Sequence, residues 1–415
     1  MRDFLPAEKA RRESILSAIR ASYRAHGFEE IETPVAEDSE RLHAGLGGDN
    51  EKLAFGILKR GAELEAALPT AKGPLDLIDL GLRYDLTVPL ARFYATHRAE
   101  LPNPFRAIQI APVWRAERPQ KGRYRQFVQC DIDIIGEPGP LAEVELLTAT
   151  AATIRSLGIA GFTIRVNDRR LLVAMLEHFG FPAEEHDGVL ITVDKLDKIG
   201  PDGVVEELRE RGAAAAAVEA LGAFLARPAS GEAMPFGEEQ IRAELPAGLE
   251  HPAIAELTAI GNAVITSTPL RYDPWLVRGM GYYTGAIFEV VHPDLGHSFG
   301  GGGRYDGMIG RFLGEDVPAA GISLGFERLV DLVDLPDASA ADSVAIVYDP
   351  ECPPALVVAV RDRLVAEGRP VRLVRRPKQL AKTLDALAAD GVGAWTAVDP
   401  DSDPAALAPK PLQHR

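Results

Sequence analysis

The sequence predicts an α+β fold: an antiparallel sheet flanked by helices, with a helical insertion and a small C-terminal α/β domain. Three observations predict it. Two strand-like runs, "PFRAIQIAPVW" (104–114) and "RQFVQCDIDIIG" (125–136), flank a Pro- and Gly-containing loop, the pattern of an antiparallel hairpin with a long connection. Residues 170–262, which include "RGAAAAAVEALGAFLA", carry helical patterns and few strand signals. After a linker at 331–342, containing "DLPDASAAD", residues 343–415 begin with alternating strand, helix, strand, helix and strand signals.

The elements follow in chain order. Residues 7–27 form an amphipathic pattern with Ile15, Leu16, Ile19 and Tyr23 at helical spacing. "GFEEIETPVAE" reads as a short strand ending at Pro34. In "GLRYDLTVPLAR" (81–92), Asp85 and Thr87 are two apart, so a strand would point both to one face. The hairpin strands come next, then a helix over 140–157 and a strand at "FTIRVND". Strands return after the helical insertion with "GAIFEVVH" (285–292), followed by "SFGGGGRYDGMIG". "GISLGFERLVDLV" (321–333) reads as a strand turning into a helix. In the last domain the strands are "SVAIVYD", "PVRLVR" and "GAWTAVD", with helices near 355–367 and 378–390.

The length of 415 residues suits two or three domains, and 46% apolar residues can fill a large core. No apolar run approaches the roughly 20 residues of a membrane span. The polar start "MRDFLPAEKARRES" has no apolar signal-peptide region. With Cys130 and Cys352 far apart, this reads as a reduced, cytoplasmic protein without a disulfide framework. No C-x-x-C or H-E-x-x-H occurs, so no metal site built from protein groups alone is expected. The net charge of −16 argues against a chain coated for nucleic acid. Residues 361–382 reverse that sign locally, with eight Arg or Lys against two acids. A charge run alone is ordinarily a solvated face.

Several stretches carry chemistry. "WRAERPQKGRYRQF" (114–127) packs four arginines and a lysine into one loop. A guanidinium offers a fixed fork of donors that matches phosphate oxygens in pairs. Phe127 can stack on a purine, with an Arg plane on the other face. In "QCDID", Gln129, Asp131 and Asp133 alternate onto one strand face, where polar groups should line a pocket and Asp133 could hold a positive group. "LVRGMGYYTGAIFEV" sets Arg278 beside Gly279 and Gly281, then Tyr282 and Tyr283. The four glycines of "SFGGGGRYDGM" let a ligand or a neighbouring strand lie against backbone, but the run lacks the Lys-Ser/Thr ending of a P-loop. Arg328 lies just inside the helix after a strand, within reach of a cleft at the sheet edge.

In order and spacing these stretches resemble the histidyl-tRNA synthetase family of class II aminoacyl-tRNA synthetases. "GFEEIETP" resembles motif 1, "WRAERPQKGRYRQF" motif 2 and "GISLGFERLV" motif 3, while "VRGMGYYTG" and "GGGGRYDGM" resemble the two stretches particular to that synthetase. The match spans most of residues 1–330, and the C-terminal domain resembles an anticodon-binding domain more weakly. The resemblance implies a class II synthetase-type antiparallel sheet and a homodimer. It implies ATP with Mg2+, histidine and histidine tRNA as ligands. Arg115 would hold the α-phosphate, with Arg278 approaching from the other side beside the histidine carboxylate. Arg123 and Arg328 would bind the outer phosphates, Glu117 would sit by adenine or Mg2+, and Phe127 would stack on adenine. Asp85, Thr87 and Gln129 would hold the α-amino group. Asp133 and Tyr283 would bracket the imidazole, with Tyr282 and Tyr305 beside them. Arg372, Arg375, Arg376 and Lys378 would contact tRNA.

Two departures from the family stand out. Gly281 occupies the place of the family's usual Asp, so the carboxylate beside Tyr282 is absent. The Pro-rich tail after Asp399 implies a shortened anticodon domain. Two alternatives compete with the synthetase reading: a histidine-adenylating paralogue with a non-tRNA acceptor, and a non-catalytic regulatory subunit of ATP phosphoribosyltransferase. Arg115, Arg123, Arg278 and Arg328 occur together, which favours the synthetase over the regulatory subunit.

Overall fold

The computed structural model describes residues 1–43, 53–118, 124–227, 234–278, 281–333 and 342–412. The chain divides into two compact units, Leu16–Val333 with Met1, and Asp334–Arg415 with Arg2–Ile15. Among the described residues no helix is long and apolar enough to cross a membrane.

The strands are β1 (Glu29–Glu30), β2 (Ala36–Asp38), β3 (Phe55–Leu58), β4 (Ile78–Leu82), β5 (Phe105–Trp114), β6 (Gln126–Ile135), β7 (Thr163–Asp168) and β8 (Leu270–Tyr272). They continue with β9 (Ala286–Val291), β10 (Gly300–Arg304), β11 (Ala319–Gly325), β12 (Val344–Tyr348), β13 (Val371–Arg375), β14 (Ala394–Val398) and β15 (Lys410–Pro411). The first unit is built on an eight-stranded sheet in the order β1-β5-β6-β11-β10-β9-β7-β8. Its inner neighbours pair antiparallel, while both edges, β1 on β5 and β8 on β7, pair parallel. The expected hairpin is β5 and β6, matched over ten residue pairs from Phe105↔Ile135 to Trp114↔Gln126.

Alternation along β6 divides its residues between two environments. Cys130, Ile132 and Ile134 are fully buried apolar positions, and Gln129, Asp131 and Asp133 occupy the opposite face. The helix Leu141–Ser156 packs on β6 and β11 and contacts the helix Pro252–Val264. Tyr23, on the first helix, donates its hydroxyl to the Cys130 carbonyl at 3.5 Å. This helical layer leaves the other face of the sheet free for polar side chains.

The expected helical insertion forms the segments Arg169–Phe179, His186–Val193, Leu196–Glu210, Ala215–Leu225, Glu238–Glu244 and Pro252–Val264. Leu172, Leu176, Val189, Val204, Leu208, Val218 and Leu221 belong to a common apolar core. The run 196–210 is broken at Gly200, whose φ of 68° interrupts the helix ahead of Pro201.

The second unit holds the sheet β13-β12-β14-β15, parallel except for the two-residue strand β15 on β14. Helices Pro354–Ala366 and Leu380–Ala389 provide the crossovers. Its core includes Val344, Ile346, Val360, Leu364 and Val398.

Candidate active site

On the polar face of the eight-stranded sheet lies a cavity of about 290 Å3. Its walls include Asp85, Thr87, Arg115, Glu117, Phe127, Gln129, Asp133, Arg278, Tyr282, Tyr283, Tyr305 and Arg328, all chosen from the sequence. Five segments far apart in the chain therefore converge on one space. Arg123 lies outside the described residues.

Asp85 and Thr87 reach the cavity by a route the sequence pattern did not suggest. β4 ends at Leu82, and Thr87 already opens the helix Thr87–His97. Asp85 sits in the turn between them, where its Oδ1 accepts the Val88 N–H at 3.3 Å. That bond ties the Asp85 carboxylate to the first turn of the helix, one residue ahead of its N-cap residue Leu86, so a turn replaces the strand. The turn is fastened to β5. Gln109 donates to the Leu86 carbonyl at 2.9 Å, the Trp114 N–H to the Arg83 carbonyl at 3.0 Å, and Arg115 Nε to the Tyr84 carbonyl at 2.9 Å. The buried Arg83 guanidinium bonds the Thr33 and Pro112 carbonyls.

Arg115 sits at the exit of β5, with its guanidinium 5.1 Å from the Phe127 ring centroid. Burial pulls its pKa down, with Asp85 and Glu117 opposing. Arg328 donates to the Ser298 carbonyl at 2.6 Å, and Glu327, its neighbour in "GFER", accepts the Val128 N–H at 3.3 Å.

The floor of the cavity is acidic. Gln129 Nε2 donates to Asp131 Oδ2 at 3.2 Å and to Ser323 Oγ at 3.1 Å, and its Oε1 is buried without a partner among the described residues. Tyr305 donates its hydroxyl to Asp133 Oδ1 at 2.6 Å. The hydroxyl on Asp133 is thus that of Tyr305, while the Tyr283 ring lies 4.8 Å from that of Tyr282 and its hydroxyl is under the influence of the Arg278 charge. Burial raises the Asp131 carboxyl well above its usual range, with Asp133 adding to the rise. Burial likewise lifts Asp133 to about 7, opposed by the Tyr305 hydrogen bond and reinforced by Asp85. Buried carboxyls that resist ionisation mark a place suited to a cation.

That shift fixes a pH dependence. Asp133 has a folded pKa near 7 against an ordinary 3.8, so its contribution to stability is full below about pH 4 and is lost as pH rises through about 7. Relative to wild type, Asp133→Asn should gain stability between pH 4 and 7, read as a shift in the urea midpoint. A constant difference across that window would show that Asp133 titrates in the ordinary range.

Glycine makes the geometry possible. A Cβ on Gly321 would lie 1.9 Å from Asp133 Oδ1, and one on Gly301 would lie 2.6 Å from the Arg278 Cζ. At Gly281, where the resemblance implies an Asp, a Cβ would meet nothing within 4 Å, yet Tyr282 and Tyr283 are still buried. The cavity forms without that carboxylate.

Sequence patterns put Asp131 on the pocket face without a specific role and assigned none to Tyr124, Ser298, Ser323 or Glu327, all of which line the cavity. Asp131 was signalled by its alternation with Asp133, and Glu327 by its place beside Arg328. Nothing local marked the two serines. Among the described residues no group of three or more His, Cys, Asp or Glu side chains could hold a metal ion. Glu117 and Glu327 supply hard oxygen donors of the kind Mg2+ takes together with phosphate oxygens.

The four basic residues proposed for tRNA differ in their surroundings. Arg372 pairs with Asp390 at 3.1 Å, and Arg376 pairs with Asp349 at 3.1 Å and Asp399 at 2.6 Å. Arg375 and Lys378 are exposed and have no ion pair among the described residues.

A family model described as histidyl-tRNA synthetase matches residues 1–67 and 73–329. A histidine–tRNA ligase of Leifsonia xyli subsp. xyli is 59% identical over 421 residues, spanning 99% of this chain and 97% of that protein. A probable histidine–tRNA ligase of Tropheryma whipplei is 43% identical over 426 residues, again spanning 99% and 97%. The crystal structure of histidyl-tRNA synthetase from a Nostoc species aligns with a TM-score of 0.74 at 27% identity, covering 96% of this chain and 90% of that one.

Proposed function

Because the chain belongs to the histidyl-tRNA synthetase family, we propose that it acts as a histidine–tRNA ligase in the cytoplasm, as a homodimer. It activates histidine with ATP and transfers the histidyl group to the 3′ end of histidine tRNA. The observation that carries the reading is that one cavity joins the cations Arg115, Arg278 and Arg328 to the buried acids Asp131 and Asp133. Cations suit a triphosphate and a carboxylate. Buried acids suit an ammonium and an imidazole.

In this reading the histidine carboxylate attacks the α-phosphorus and pyrophosphate leaves. Arg115 and Arg278 meet the charge that develops on the α-phosphate, and Arg328 holds the outer phosphates together with Arg123. Phe127, under the Arg115 guanidinium, offers the stacking surface for adenine. The Asp133–Tyr305 pair faces the imidazole, and Asp85, Thr87 and Gln129 receive the α-amino group. An apolar analogue would leave these buried polar groups unpaired and be rejected strongly. With ATP bound, Glu117 and Glu327 would hold Mg2+, which would supply neutralisation of phosphate charge. Catalysis here is chiefly positioning and charge stabilisation.

ATP–pyrophosphate exchange with and without histidine tests the first step, and a tRNA charging assay tests the second. Exchange without charging would favour the adenylating paralogue. Folded protein without exchange would favour the regulatory subunit, which the relatives do not support over the ligase.

The basic strand β13 gives a further expectation. Arg375 and Lys378 carry the tRNA contact, because Arg372 and Arg376 are engaged within the unit. Arg375→Gln with Lys378→Gln should weaken tRNA binding and flatten the salt dependence of log K by about 1–2. An unchanged slope would make β13 a solvated surface.

A further inference from the structure

A row of cross-strand neighbours runs from the cavity floor toward the sheet edge. Asp131 on β6 faces Ser323 on β11, which faces Gly301 on β10, then Glu289 on β9 and Arg165 on β7. Cross-strand neighbours share a face, so these side chains lie on the cavity side. Gly301 leaves a gap in the row, and the Arg278 guanidinium fills it.

Arg278 Nη1 donates to Glu289 Oε1 at 3.2 Å. The other carboxylate oxygen, Oε2, accepts from Arg165 Nη1 at 3.1 Å. Arg165 also pairs with Asp273, in the segment that leads into Arg278. Two residues along β7, Asn167 Nδ2 donates to the carbonyls of Pro274 at 3.0 Å and Leu276 at 3.2 Å. β7 therefore fixes the backbone approaching Arg278 and, through Glu289, its charged end. Arg278 Nε is buried without a partner among the described residues, so the tip contacts must hold the side chain. Neither Glu289 nor Arg165 lines the cavity.

We propose that Glu289, backed by Arg165, is a positioning residue that holds the Arg278 guanidinium at the reacting centre. The inference rests on the ligase reading and extends it to residues that do not touch substrate. An arginine released from such a contact regains rotamer freedom, and small displacements from reacting geometry cost rate more than binding.

The test is a double-mutant cycle in ATP–pyrophosphate exchange, with unfolding midpoints measured alongside. Glu289→Gln should lower kcat about 10–100-fold, with KM for histidine and ATP changed less than about threefold. In an Arg278→Ala background the same change should cost less than about twofold. Arg165→Lys, which keeps the charge and loses the fork, should show a smaller kcat loss of the same kind. Equal losses in both backgrounds would mean a general structural role and overturn the proposal. An unchanged kcat in folded Glu289→Gln or Arg165→Lys protein would overturn it too. Wild-type protein without histidine-dependent exchange would overturn the ligase reading first, and this inference with it.

Discussion

Arg278→Ala lowers histidine-dependent ATP–pyrophosphate exchange by about 10²–10³-fold while the protein stays folded. The magnitude is that of one fixed donor aimed at charge that develops in the transition state. Arg278 owes its place to two features: the space over Gly301 and the Glu289 carboxylate. Burial alone would lower its pKa, but Tyr283 and Glu289 outweigh that and raise it, so the charge is kept. After the substitution Glu289 retains Arg165 as a partner, so no buried carboxylate is stranded and the thermal midpoint should stay close to wild type. Exchange near the wild-type rate would remove Arg278 from the chemistry.

Gly302→Ala produces the largest loss of stability, more than about 4 kcal/mol, seen as insoluble protein or a collapsed denaturation midpoint. A Cβ there would lie 2.0 Å from the Gly321 carbonyl oxygen and 2.6 Å from Ile322 Cα. Both obstacles are backbone of the adjacent strand β11, so no rotamer change relieves them. β10 is also held on its other side by β9, and moving it away would break a ladder in the middle of the sheet. Gly281→Ala is the matched control: open space surrounds that position, and its stability change should stay within about 0.5 kcal/mol. A Gly302→Ala protein as stable as wild type would mean that the two strands do not approach this closely.

The residues of the cavity were legible to different degrees. The two-residue period of β6 is enough to place Gln129, Asp131 and Asp133 on one face, because alternation is a property of extended backbone. The cationic hairpin exit was legible for the same reason, since its flanking strands carry clear signals. Asp85 and Thr87 reached the cavity but not on a strand. Asp85 sits in the turn ahead of the helix Thr87–His97 and accepts the Val88 N–H, a placement that two-residue alternation does not announce. The charge run 361–382 showed basic residues but not their engagements. Asp349 and Asp399 lie far from Arg376 in sequence and meet it only after β12, β13 and β14 pair.

From residue order alone came the strand alternation, the helical periods, the glycine runs and the types of chemical group in each stretch. These follow from local backbone geometry and side-chain chemistry, which do not depend on partners. The fold added what depends on distant neighbours. Sheet register put Gly321 opposite Asp133 and Gly301 opposite Glu289, so two absent side chains became room for a carboxylate and a guanidinium. Burial then raised the Asp131 and Asp133 carboxyls, since the cost of removing a charge from water is set by everything packed around it. Solvent exclusion and cross-strand register arise only when all the strands are in place, which is why no single stretch of sequence announced them.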